Sequence, residues 1–110
     1  MIRSVSAMLA GVVMAIGIGN PAWASGVIWF WNMTDAYVTV NVDGVFGCNT
    51  SAGSQCTIPV ADGDHIGRAQ TAYGVINREI LIDNNTIRWC IYTTDDPASE
   101  ARCIAWRNGQ

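Results

Sequence analysis

The sequence predicts an all-β domain, a small antiparallel β-sandwich of about seven to eight strands stapled by two disulfides. Short runs of β-branched and aromatic residues alternate with turn residues along most of the chain, as in sandwiches and small barrels. An Asp-Gly pair between two such runs is a strong hairpin signal. Four cysteines follow a leader typical of exported proteins, and their even number indicates a disulfide framework.

Residues 1–24 have the three-part order of a secretory signal peptide. A short positively charged start precedes an apolar stretch over residues 7–18, and residues 22–24 (Ala-Trp-Ala) put small side chains where a signal peptidase reads. The apolar stretch is shorter than the about 20 residues that span a bilayer. We therefore predict cleavage after Ala24, which leaves one domain over residues 25–110, secreted or periplasmic.

The charge balance restricts the classes of partner. The chain carries a net charge of −3, and all six of its basic residues are arginines. No stretch of sequence forms a basic patch that could follow a phosphate backbone or an anionic membrane surface. We therefore predict no nucleic-acid partner and no membrane insertion after signal cleavage. Hydrophobic residues make up 50% of the chain, which indicates a folded protein.

Two strands are predicted before the Asp-Gly turn. Residues 26–32 are apolar on both faces, as in a strand that is covered on both sides. Residues 36–42 alternate between two faces. One face carries Val38, Val40 and Val42, and the other carries Tyr37, Thr39 and Asn41. A two-residue turn fixes the register of the hairpin, with these predicted pairs: Val42 with Val45, Asn41 with Phe46, and Thr39 with Cys48.

Further short strands are predicted in the second half of the chain. A polar loop over residues 49–55 leads into a strand at residues 56–60, where Pro59 indicates an edge or a bulge. Turns rich in Asp, Asn or Gly then separate three more strands, at residues 65–72, 75–82 and 86–93.

The C-terminal segment is predicted to begin with one helical turn and to end as a strand. An acid before a proline, at Asp96 and Pro97, is a helix-start signal, and the turn runs through Ala101. Residues 102–107 form the last predicted strand. The predicted core consists of apolar residues that alternate along these strands: Val38, Val40, Val42, Ile58, Ile80, Ile82, Ile87, Trp89, Ile91 and Ile104.

Part of the chain resembles a known group of small domains. The order of residues 40–44 (Val-Asn-Val-Asp-Gly), Gly47, residues 57–60 (Thr-Ile-Pro-Val) and residues 62–65 (Asp-Gly-Asp-His) is similar to that of PEGA-type surface-layer domains. More broadly it resembles carboxypeptidase-regulatory-like and transthyretin-like sandwiches. The stretch that fits covers residues 38–82, without the Pro-Glu-Gly-Ala signature. The resemblance implies a small β-sandwich that acts as a non-catalytic binding or spacer module.

The cysteines are too far apart in sequence for the close pairs of a zinc site, so we predict disulfides and no metal. Of the three possible pairings, the two local ones, Cys48–Cys56 and Cys90–Cys103, are favoured. Alternation places Cys90 and Cys103 opposite the apolar side of their strands, which suits an edge staple better than a bridge through the core. It places Cys48 on the polar face of its hairpin, but Cys56 on the same side as Ile58.

Candidate catalytic groups are few. His65 is the one histidine of the chain, and its position after Asp62, Gly63 and Asp64 is typical of a turn rather than of a metal ligand or general base. The serines lie in no Gly-x-Ser-x-Gly elbow, and the turn aspartates form no obvious catalytic pair. We therefore predict no enzyme activity, no catalytic residue and no cofactor.

One face of the predicted hairpin is a candidate binding site. Most aromatic residues are expected in the core of so small a domain, but Tyr37 and Phe46 fall on the face opposite the valines, together with Thr39 and Asn41. Aromatic side chains exposed among polar groups suit contact with a protein or a glycan. The alternative is that the disulfide-bonded C-terminal end of the chain covers this face.

Three functions follow as hypotheses. The first is a non-catalytic module of the periplasm or cell exterior that binds a protein or a glycan. The second is a secreted enzyme inhibitor or toxin-like protein that acts through the Cys48–Cys56 loop, because a short constrained loop lowers the ordering cost of binding. The third is a hydrolase built on His65. The sequence favours the first over the second, and the second over the third.

Overall fold

The computed structural model describes residues 24–109, so the predicted signal peptide, apart from Ala24, lies outside the described residues. Within this range the chain forms seven strands and one helix. Their bounds are β1 Gly26–Met33, β2 Val38–Val42, β3 Val45–Thr50, β4 Gln55–Val60, β5 Gly63–Thr71, β6 Gly74–Ile82, β7 Thr86–Tyr92 and α1 Pro97–Arg107. No helix among these residues is long and apolar enough to cross a membrane.

The strands form two sheets, which confirms the predicted β-sandwich. One sheet has three strands in the order β4-β1-β7, and the other has four in the order β3-β2-β5-β6. All strand pairs are antiparallel except β1 with β7, which run parallel. The parallel pair arises because the chain returns to β1 from the other sheet, after β6, rather than through a hairpin.

The main core lies between the sheets and is built largely as predicted. Its buried members are Ile28, Phe30, Val38, Val40, Val42, Ile58, Val60, Ala69, Ile80, Ile82, Trp89 and Ile91. Ile87 is partly buried and packs against this cluster. The placement of Ile104 in the core is wrong, because its side chain lies on the solvent side of α1 and is 43% exposed.

The helix begins where the sequence indicates but continues further. The Asp96 carboxylate accepts a hydrogen bond from the backbone N–H of Ala98 at 3.2 Å, with Pro97 in the first turn. The strand predicted over residues 102–107 is wrong, because α1 continues through them to Arg107. Its buried residues are Ser99, Cys103 and Trp106. Their spacing of four and three residues is the helical period. The apolar residues of this short segment are thus compatible with a helix as well as with the predicted strand.

Helix α1 packs on the outer face of the three-stranded sheet, where it encloses a second, smaller core. The Trp106 ring meets Trp29 and Trp31 of β1 edge-on, with centroids 5.1 and 5.4 Å apart. The Cys90–Cys103 disulfide joins β7 to the helix beside these rings. The predicted pairing is confirmed, and the bond points away from the main core. It is nevertheless buried under the helix rather than exposed at an edge.

The Cys48–Cys56 disulfide is also confirmed, but its geometry corrects the predicted hairpin register. A bulge at Gly47 shifts the pairing, so Cys48 lies opposite Val40, and Thr39 pairs with Asn49 instead. The extra residue turns Cys48 toward the core side, where it meets Cys56 of the other sheet. A Cβ atom at Gly47 would lie 2.6 Å from the Ile58 side chain, so glycine suits this bulge.

Candidate binding surface

The outer face of the four-stranded sheet carries three of the four predicted site residues, Thr39, Asn41 and Phe46, and the fourth, Tyr37, directly precedes β2. Tyr37 is 58% exposed and Phe46 is 60% exposed, while Thr39 and Asn41 are half-buried between them. The alternative, in which the C-terminal end of the chain covers this face, is wrong because α1 packs on the opposite sheet. The face is therefore open to solvent. We refer to it below as the hairpin face.

Cross-strand pairing adds polar neighbours that the sequence reasoning did not place here. Asn41 lies opposite Phe46 on β3, as predicted, and opposite Arg68 on β5. Thr39 lies opposite Asn49 on β3 and opposite Gln70 on β5. Directly opposite residues of an antiparallel pair share a face. The alternation of residues 63–71 indicates that Arg68 and Gln70 point to one side, but it does not show which strand lies beside them.

The two exposed rings bracket this polar strip rather than touch. Tyr37 and Asn41 are four residues apart, which is about 13 Å along an extended strand. Phe46 stands opposite Asn41 on the neighbouring strand. Within residues 24–109, no ring–ring contact joins Tyr37 and Phe46. A ligand that contacted both rings would therefore span about four residues of extended peptide, or an equivalent length of glycan.

The chemistry of the hairpin face suits recognition of a polar partner. Its amide and hydroxyl side chains can each donate and accept hydrogen bonds, and the rings supply apolar area. Arg68 is the charged group of this strip, and Glu79 and Asp64 lie on the same face of the sheet, opposite Ile66 and Leu81. Exposed apolar residues continue across the same face of the sheet: Ile66, Val75 and Leu81. A mixed surface of this kind resembles the composition of non-obligate interfaces.

His65 holds two turns together. Its Nδ1 lies 2.6 Å from the Asp43 carboxylate, and its Nε2 lies 2.7 Å from the Ala61 carbonyl oxygen. The second Asp43 oxygen accepts from the backbone N–H of Ile66 at 2.8 Å. Both ring nitrogens face acceptors, so the protonated imidazole satisfies the site best. Burial opposes that charge, but the hydrogen bonds and the charges of Asp43 and Asp64 outweigh it and raise the pKa of His65.

Replacing His65 with Gln is expected to remove a pH dependence of stability. Because the pKa of His65 is raised on folding, its contribution to stability is complete below the ordinary histidine pKa of 6.5 and is lost as pH rises through the folded pKa. As pH rises from below 6.5 through the raised pKa, the native chain should lose stability, by no more than the about 0.2–1 kcal/mol typical of exposed ion pairs, because Asp43 is partly exposed and screened. Urea unfolding of His65→Gln should show no such loss. An equal loss in both chains would contradict the assignment.

The groups that a hydrolase or a metal site would need are dispersed. Ser51 and Ser54 hydrogen-bond each other at 2.9 Å, Ser99 is buried in the first turn of α1, and Ser25 donates to Asp62. None of them contacts His65. Over residues 24–109, no three His, Cys, Asp or Glu side chains are grouped to hold a metal ion.

A cleft of 560 Å³ lies at one end of the sandwich, between the β5–β6 turn and the segment that leads from β7 to α1. The Tyr73 hydroxyl donates to the Asp35 carboxylate at 3.1 Å across it. That hydrogen bond, together with the charges of Asp35 and Asp95, raises the pKa of Tyr73. Tyr73 is exposed in the turn between β5 and β6, outside the hairpin face.

The loop between Cys48 and Cys56 is tied back to β1. The backbone of Asn32 bonds Ser54 and Gly53 at 2.9 and 2.8 Å, and the Trp31 indole donates to the Gly53 carbonyl at 3.1 Å. The disulfide closes the loop on its other side. Ser51, Ala52 and Gly53 remain exposed at the tip. The loop is therefore a short, fixed crossover between the two sheets.

Comparison with known proteins matches no family model and no curated sequence to this chain. The likeness to PEGA-type and transthyretin-like sandwiches thus depends on the short sequence motifs and stays a prediction.

Proposed function

We propose that this chain is an exported, non-catalytic binding module that recognises a protein or a glycan through the hairpin face. The observation that carries the proposal is the exposure of Tyr37 and Phe46 at the two ends of a polar strip. Large aromatic side chains normally leave water when a domain folds. Two of them exposed on the same side of one sheet favour a surface that a partner buries instead.

The composition of the face favours an extended ligand. The polar strip between the rings presents one hydroxyl, two amides and one guanidinium, from Thr39, Asn41, Gln70 and Arg68. These side chains can form hydrogen bonds with a partner that has polar groups along its length, such as an oligosaccharide or an extended peptide. A purely apolar partner would bury the donors and acceptors of the strip without hydrogen bonds, which is unfavourable.

The double variant Tyr37→Ala/Phe46→Ala is expected to lose the partner while it keeps the fold. Each ring buried at an interface contributes about 1–3 kcal/mol, so losing both should weaken binding by at least about thirtyfold. The measurement is recovery of bound proteins and glycans from an extract of the producing cells. Both rings are exposed, so the thermal midpoint should change little.

Tyr73→Ala is the control, because Tyr73 is also an exposed ring and lies in the β5–β6 turn. It should retain the partner. If the folded double variant still bound the partner, the hairpin face would be refuted as the binding site. If only Tyr73→Ala lost the partner, the binding site would instead be the 560 Å³ cleft beside Tyr73. A double variant that unfolds would show that the rings contribute to the core.

Export is part of the same proposal. Two disulfides suit an oxidising compartment, and β1 begins at Gly26, so cleavage after Ala24 would leave every described strand intact. The expected mature N-terminus is Ser25, either in the periplasm or outside the cell. N-terminal sequencing of the protein from its native compartment tests this, and an uncleaved chain would overturn it.

A secreted enzyme inhibitor or toxin-like protein is the second candidate function. The observation that favours it is the fixed Cys48–Cys56 loop, whose exposed tip is held by the disulfide and by β1. A loop ordered in advance loses little entropy on binding. Replacing residues 51–54 with an unrelated sequence of equal length separates the two functions. Only an inhibitor depends on the identity of the tip, whereas the binding module depends on the hairpin face.

A further inference from the structure

Three arginines from three separate elements line one cleft. Arg78 of β6, Arg88 of β7 and Arg107 at the end of α1 surround a space of 460 Å³. The remaining lining residues are Thr86, Ile87, Asn108 and Gly109. We refer to this space as the arginine cleft. No stretch of sequence reveals it, because the three residues lie far apart along the chain.

Packing fixes two of the three guanidinium groups. The Arg88 guanidinium lies over the Trp29 and Trp106 rings, 4.9 and 5.5 Å from their centroids, and donates to the Trp106 carbonyl oxygen at 2.6 Å. Arg78 donates to the backbone carbonyl of Arg88 at 3.3 Å. Arg107 is exposed at the end of the helix. An anion entering the cleft would therefore meet donors that are largely ordered already.

Within the described range the positive charge of the cleft is not neutralised. Across residues 24–109 no arginine forms an ion pair with a carboxylate. The C-terminal end of α1 supplies about −0.5 of an elementary charge, against three full positive charges. Burial, and then the nearby charge of Arg107, lower the pKa of Arg78. Arginine nevertheless stays protonated at neutral pH.

We propose that the arginine cleft binds an oxyanion, namely a carboxylate, phosphate or sulfate group of a ligand. Guanidinium groups form charge-assisted, often bidentate hydrogen bonds to such groups. Arg88 donates one hydrogen bond to the helix from a guanidinium that carries five N–H groups, and Thr86 is among the residues that line the cleft. This site lies apart from the hairpin face, on the side where β6, β7 and the helix end meet.

The test measures the thermal midpoint and tryptophan fluorescence during titration with sodium phosphate, sodium sulfate or sodium acetate, each against sodium chloride at equal ionic strength. The native chain should show a saturable rise in midpoint and a change in emission, because Trp29 and Trp106 flank Arg88. A response to phosphate and sulfate identifies a tetrahedral ligand group. A response to acetate alone identifies a carboxylate.

Arg107→Gln is expected to weaken the apparent affinity about tenfold, which corresponds to one charge-assisted hydrogen bond. Arg102→Gln is the control, because it removes the same charge from an exposed position of the same helix. It should leave the affinity unchanged. Sulfate and phosphate also stabilise proteins in general, so an equal response in both variants would overturn the proposal. No response in the native chain beyond that of chloride would overturn it as well.

Discussion

The double variant Cys90→Ala/Cys103→Ala is expected to lose about 3 kcal/mol of unfolding free energy and to release α1 from the sheet. The disulfide closes a loop with a sequence separation of 13, for which chain entropy gives about this value. It also holds the helix over Trp29 and Trp31, which pack against Trp106. Urea unfolding should give the stability change, and a red shift of tryptophan emission should report the exposed rings.

The matched control is Cys48→Ala/Cys56→Ala. Its loop has a sequence separation of 8, so chain entropy alone predicts a loss about 0.4 kcal/mol smaller. That bond joins the two sheets at their edges and does not contact the helix, so the emission of the three clustered tryptophans should stay unchanged. An equal spectral shift in both variants would contradict the separate role given to the Cys90–Cys103 bond.

Asn32→Asp is expected to destabilise the fold by about 3 kcal/mol or more, although it changes only one atom of the side chain. Asn32 is fully buried, and its amide nitrogen donates to the carbonyls of Ala36 and Ser51 at 2.7 and 3.2 Å. Its oxygen accepts from the N–H and hydroxyl of Thr34. An ionised carboxylate would turn an acceptor toward two carbonyl oxygens, with no donor to satisfy them.

The pH dependence of this variant gives an independent check. A buried aspartate that faces carbonyls has a folded pKa above its unfolded value, so part of the lost stability should return as pH falls and the acid becomes a donor. Asn49→Asp makes the same chemical change at an exposed position of β3 and should cost within about 0.5 kcal/mol. Equal losses of unfolding free energy at both positions would show that the hydrogen bonds of Asn32 to Thr34, Ala36 and Ser51 are not what stabilises the fold.

Local signals in the sequence determined much of the candidate site. The Asp43-Gly44 turn has positive φ at both residues, 54° and 81°, as the Asp-Gly pair indicates. That turn sets Asn41 opposite Phe46, and alternation then places Tyr37, Thr39, Asn41 and Phe46 on one face. The short separations within each cysteine pair favoured the disulfides that form, because nearby cysteines lose the least entropy on closure.

Contacts between distant segments decided the rest. Gly47 lies against Ile58 of the other sheet, where a Cβ atom would not fit, and the bulge there moved Cys48 to the core side. Residues 102–107 fit both a strand and a helix by period, and burial of Cys103 and Trp106 against the three-stranded sheet selected the helix.

The sequence by itself determined the strand segments up to residue 93, where the first hairpin turns, which cysteine pairs are favoured and where the helix starts. Each of these follows from interactions among neighbours in the chain. The tertiary structure alone decided that β1 and β7 run parallel, that the hairpin face stays open and that three arginines converge on one cleft. Strand order and sheet packing set those features, and residue alternation specifies a face but not the strand that lies beside it.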